Sequence, residues 1–113
     1  MKIQRKNFKN EEKKLKRYFN EKNHYDRILE HIKMVKSYDE LCNHPFSIMY
    51  GFERLKYFKD EYYSFNLGKN KGVIRLIFKI DRENNVVILK FISMDHYNDF
   101  KRKRGGGDNY VKS

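Results

Sequence analysis

The apolar positions of this chain change period once: they recur at helical spacing up to about residue 36 and alternate from residue 62 onward. Phe8, Leu15, Tyr18 and Phe19 fall near one face of a helix predicted over 8–19, with Asn7 or Asn10 placed to cap its start. Asn20 to Asn23 reads as a connector. Tyr25, Ile28, Leu29, Ile32 and Val35 mark a second helix, with Asn23 as its cap and Asp26 in its first turn. Ser37-Tyr38-Asp39-Glu40 has capping-box spacing and predicts a short helical turn. His44-Pro45 ends it, because the residue before a proline is pushed out of the helical region.

Lys2 to Arg5 reads as a short strand. Tyr63, Phe65 and Leu67 alternate with Tyr62, Ser64 and Asn66. After a turn at 68–72, Ile74, Leu76, Phe78 and Ile80 line one face of a strand over 73–80. After a second turn at 81–85, a third strand over 86–93 is dense in β-branched residues. Three strands joined by short turns predict an antiparallel meander. The expected class is therefore α+β, with two N-terminal helices packed on an antiparallel sheet of three to four strands. One domain is expected over 1–104, followed by a glycine-rich polar tail over 105–113 that is expected to be disordered.

Charge changes this picture more than size does. The net charge is +11 and nine Tyr with nine Phe supply the apolar mass of a core. Residues 1–36 carry a net +7, residues 37–100 are balanced, and residues 101–113 add +4. Both ends therefore suit a polyanionic partner, whereas chemistry in the middle must come from particular residues. The single Cys42 excludes an internal disulfide framework, and a reducing compartment follows as the default. No apolar run approaches the ~20 residues of a membrane span, and the charged N-terminus is unlike a signal peptide. A cytoplasmic protein that does not engage a membrane is expected.

Three segments in the balanced middle can carry chemistry. Alternation puts Arg75 on the face opposite Leu76 and Phe78, together with Val73, Ile77 and Ile88. An arginine flanked by apolar residues on a strand is unusual. It can be a solvated edge residue, a structural ion pair with Glu53 or Asp95, or an anion clamp, and the pattern leaves these open. Asp95-His96-Tyr97 follows the third strand, where the sheet fixes the backbone, and His titrates near neutrality. Glu53 lies in Phe52-Glu53-Arg54-Leu55-Lys56, just before the meander, and alone reads as an ordinary surface carboxylate. His24 and His31 are seven apart on one helix but lack further ligands, so no metal site is expected. Cys42 reads as a small buried residue. Phosphate-binding glycine loops and zinc motifs are lacking from the sequence, and no cofactor is expected.

Together these segments resemble a family. Phe52-Glu53-Arg54-Leu55-Lys56, Tyr62-Tyr63-Ser64-Phe65, Ile74-Arg75-Leu76-Ile77-Phe78 and the run ending Asp95-His96-Tyr97 resemble, in order and approximate spacing, the RelE/ParE superfamily of toxins, closest to its YoeB-like branch. The resemblance spans about residues 49–97. It implies the toxin of a type II toxin–antitoxin system, an endoribonuclease that cuts messenger RNA on the ribosome through the RNA's own 2′-hydroxyl and without a metal. It implies Glu53 as general base, Arg75 as phosphate clamp and His96 as general acid, with exchange between Glu53 and His96 open. Tyr97 would stack on or orient a base, and Lys56 would make a second phosphate contact. The branch often carries arginine where this chain has Phe65 and Asn66, and Lys69 and Lys71 in the longer turn would replace it. The implied partners are messenger RNA, the ribosome and a cognate antitoxin protein. Two rivals stand beside this reading. A ParE-like toxin acting on a topoisomerase would lack the Glu53, Arg75 and His96 set. A non-catalytic RNA-binding module would use the basic ends alone.

Overall fold

Tyr25, Ile28, Leu29 and Ile32 are all buried, and their spacing sets the face of the longest helix. The computed structural model describes residues 1–5, 8–55, 61–69, 73–93 and 97. The order is β1 (Ile3–Gln4), α1 (Lys9–Leu15), α2 (Phe19–Met34), α3 (Tyr38–Asn43) and α4 (Pro45–Met49). Four further strands follow: β2 (Glu53–Leu55), β3 (Tyr62–Asn66), β4 (Ile74–Ile80) and β5 (Val86–Ser93). The class is α+β, as expected, but the layout differs from the expectation in both layers.

In the helix layer there are four helices rather than two. The expected helix over 8–19 stops at Leu15, and Asn20 to Asn23 is no connector but the start of α2. The buried stripe of α1 ends at Leu15, while Tyr18 and Phe19 are exposed at 50% and 75% and do not extend it. Neither Phe8 nor Tyr18, the N-cap residues of α1 and α2, makes a side-chain cap. The capping reading does hold at α3, where Ser37 Oγ accepts from the Glu40 amide at 3.2 Å. His44-Pro45 ends α3 but also starts α4. His44 Nδ1 accepts from the Phe46 amide at 3.1 Å, and proline is favoured in a first helical turn.

The sheet is five-stranded and mixed, in the order β1-β5-β4-β3-β2, not an antiparallel sheet of three to four. Glu53 lies within edge strand β2, and β1 pairs parallel with β5 through Ile3↔Val86 and Gln4↔Val87. The other neighbours are antiparallel. A bulge between Ile77 and Phe78 shifts the pairing of β4 with β5. Ile88 consequently joins the helix-side core instead of the Arg75 side.

The main core lies between the layers: Leu15, Tyr25, Ile28 and Ile32 from the helices pack with Tyr63, Phe65, Leu76 and Phe78 from the sheet. Each such burial contributes about 1.5–3 kcal/mol. On the opposite sheet face a smaller cluster of Leu55, Ile77 and Tyr97 is flanked by Tyr62 and Ile92. No helix among the described residues is long and apolar enough to cross a membrane. His96, Lys56, Lys71 and the tail from 101 lie outside the described residues.

Candidate functional site

Strand register decides which polar side chains meet on the face away from the helices. Glu53 stands opposite Ser64 in β2 and β3, and Asn66 stands opposite Arg75 in β3 and β4. Positions two apart on a strand share a face, so these four side chains are direct or diagonal neighbours. Tyr97, beyond β5, adds its ring and hydroxyl to the group. Its ring lies 4.6 Å from the Arg75 guanidinium carbon, in cation–π contact.

Arg75 is buried and held at three points. Nε donates to Ser64 Oγ at 3.1 Å, and Nη2 donates to Ser64 Oγ at 2.8 Å and to the Gly51 carbonyl at 2.5 Å. The Tyr97 hydroxyl donates to Glu53 Oε1 at 2.5 Å and lies 3.0 Å from Ser64 Oγ. A hydroxyl has one proton and two lone pairs. Ser64 accepts from Arg75, so its own proton goes to the Tyr97 oxygen, whose proton goes to Glu53. The result is a directed chain from cation to carboxylate through two neutral hydroxyls. Its ends lie 3.9 Å apart, Arg75 Nη2 to Glu53 Oε1.

Electrostatics agree with this direction. Burial pulls the Arg75 guanidinium below its usual value, while Tyr97 and Glu53 oppose the shift, and arginine stays charged at neutral pH. Burial, followed by the hydrogen bond to Glu53, pushes the Tyr97 phenol up, so it remains a neutral donor.

Gly51 brings the backbone close to this cluster. Its φ of +63° lies in the left-handed region that glycine enters freely. A Cβ there would meet Asn66 Cβ at 3.5 Å and Arg75 Nη1 at 3.6 Å. Among the described residues, Asn66 Oδ1 is the one buried side-chain polar atom without a hydrogen-bond partner, and it belongs to the residue facing Arg75.

Of the residues singled out in the sequence, Glu53, Arg75 and Tyr97 come together. His96, Lys56 and Lys71 are outside the described residues. Lys69 has φ +60° in the turn after β3, and its Nζ lies 6.0 Å from the Tyr50 ring centroid. Tyr97 is 1% exposed, so its ring offers no open face for a base to stack on. It braces Arg75 and Glu53 instead. Ser64, Gly51 and Asn66 escaped the sequence reading. The one signal for Ser64 was a small polar residue in the aromatic run Tyr62-Tyr63-Ser64-Phe65. Among the described residues no group of three or more His, Cys, Asp or Glu could hold a metal ion.

Comparison of the sequence with protein-family models and with curated proteins finds no match. The resemblance to the RelE/YoeB toxins rests on the four short segments and their order.

Proposed function

We propose that this protein is an RNA-cleaving toxin that cuts messenger RNA on the ribosome by attack of the RNA's own 2′-hydroxyl. The observation that carries the reading is the linked set of Glu53, Tyr97, Ser64 and Arg75 on the sheet face away from the helices. It combines a fixed carboxylate with a fixed cation, and the Glu53 side chain is 41% exposed and within reach of a bound strand. Glu53 takes the proton of the 2′-hydroxyl while its oxygen forms a bond to phosphorus. The bond to the 5′-oxygen breaks, and His96 supplies the proton that oxygen needs. The products are a 2′,3′-cyclic phosphate and a free 5′-hydroxyl. Arg75 supplies the positive charge that stabilises the scissile phosphate. A cognate antitoxin is the partner that would keep this activity in check.

The test is primer extension on a message in a translating extract, with the message offered free and on ribosomes. Wild-type protein is expected to make discrete cuts on ribosome-bound message, and Glu53→Gln or His96→Ala to reduce them by about 10²-fold or more. Message left intact by the wild type, or cut equally by both variants, would overturn the reading. One observation favours a second reading, a non-catalytic RNA-binding module: most of the hydrogen bonding of Arg75 is internal. That reading expects Glu53→Gln to leave RNA binding unchanged and no cuts in either condition.

A further inference from the structure

The helix side carries a second polar feature. Lys9, Lys13 and Lys16 of the α1 segment line a cavity of about 340 Å³ together with Lys22 of α2. The two acidic residues there are already engaged. Glu12 pairs with Arg5 at 2.8 Å and accepts from the Tyr25 hydroxyl at 2.6 Å, and Asp26 pairs with Lys22 at 2.7 Å. Among the described residues Lys9, Lys13 and Lys16 form no ion pair, and all three are exposed. They lie within eight residues, about 10 Å along the helix axis, which suits successive phosphates of one strand. Phe19 is 75% exposed and lies three residues before Lys22, hence on the same face of α2.

We infer that this cavity and Phe19 form a docking surface for unpaired RNA, separate from the sheet face that carries Arg75. The lysines take the backbone and Phe19 stacks on a base, the pairing of groups that single-stranded RNA requires. A membrane surface fits less well, because a helix lying in a bilayer interface needs a broad apolar face, whereas the cavity is lined mostly by charged side chains. Leu15 of α1 packs into the core on the side of the sheet away from Arg75, so the strand held here is a different length of RNA from the one cut. The choice of RNA over other polyanions rests on the nuclease reading.

The test is fluorescence anisotropy of the full chain with a labelled, unstructured oligoribonucleotide across a salt series. Each single-strand phosphate contact adds ~0.7 to the slope of log affinity against log salt. The triple variant Lys9→Ala/Lys13→Ala/Lys16→Ala should therefore lower that slope by about 2. Phe19→Ala should weaken binding about tenfold, the size of one base–aromatic stack. Circular dichroism checks that both variants stay folded. An unchanged slope in the folded triple variant overturns the inference. So does loss of binding to anionic phospholipid vesicles with RNA binding intact. Cleavage on ribosomes, measured in parallel, separates the two proposals. A wild type that binds through these lysines and cuts nothing keeps the docking surface and removes the nuclease. A wild type that cuts, with a triple variant that binds equally well, removes the docking surface alone.

Discussion

The hydroxyls of Ser64 and Tyr97 link Arg75 to Glu53, so replacing one of them changes the surroundings of both charges. Tyr97→Phe keeps the ring on Arg75 but leaves the buried Ser64 proton without an acceptor and removes a donor from Glu53. The expected cost is about 1–2 kcal/mol, seen as a thermal midpoint several degrees lower. A midpoint equal to wild type would mean that the chain of hydroxyls adds no net stability. Under the nuclease reading the same variant also cuts more slowly, since Glu53 loses its fixed position. At this scale about half of the site was legible in the sequence. Arg75 stands out because a charged side chain occurs beside apolar ones, whereas Glu53 and Tyr97 are singled out only through the resemblance of their segments. Ser64, Gly51 and Asn66 do not stand out, because their importance depends on strand register and on a left-handed turn, and pattern alone determines neither.

At the scale of elements, His31 ties α2 to α4. Its Nε2 lies 2.9 Å from Ser47 Oγ, and its ring stacks on Phe46 and meets His44 edge-on. Burial, then the neighbouring charge of His44, lowers His31 from 6.5 to about 4. The unfolded chain therefore takes up a proton below pH 6.5 that the folded chain refuses until about pH 4. The stability due to neutral His31 is full above pH 6.5 and is lost as the pH falls toward 4. Urea unfolding at pH 7.5 and 4.5 should show the wild type losing on the order of 2 kcal/mol more than His31→Gln. Equal losses would contradict this account. The long elements were legible because periodicity accumulates over many residues: β5 and the buried face of α2 are where the pattern put them. Helix α4, with five residues, and strand β2, with three, are too short for a period to form. Tertiary contacts make them instead, the His44 cap in one case and pairing with Tyr62 to Ser64 in the other.

At the scale of the whole molecule, the two proposed RNA contacts lie on opposite sides of one sheet, with the core of the helix layer between them. The class was legible from the single change in hydrophobic period. The parallel edge was not, because a strand of two residues has no pattern and the partner of β1 is more than eighty positions away in sequence. That pairing, and the separation of 44 positions between Glu53 and Tyr97, bear on when the site forms during synthesis of the chain. At about 5–20 residues per second, the ribosome needs roughly 2–9 s to pass from Glu53 to Tyr97. Until then the carboxylate has no tyrosine, and until Val86 and Val87 are made the first strand has no neighbour. A chain stopped after Ser93 should melt at a lower temperature and leave messages uncut, whereas wild-type cutting by that fragment would show that the site forms without its last member. Under the nuclease reading, a growing chain cannot cut the message it is made from before Tyr97 has been added.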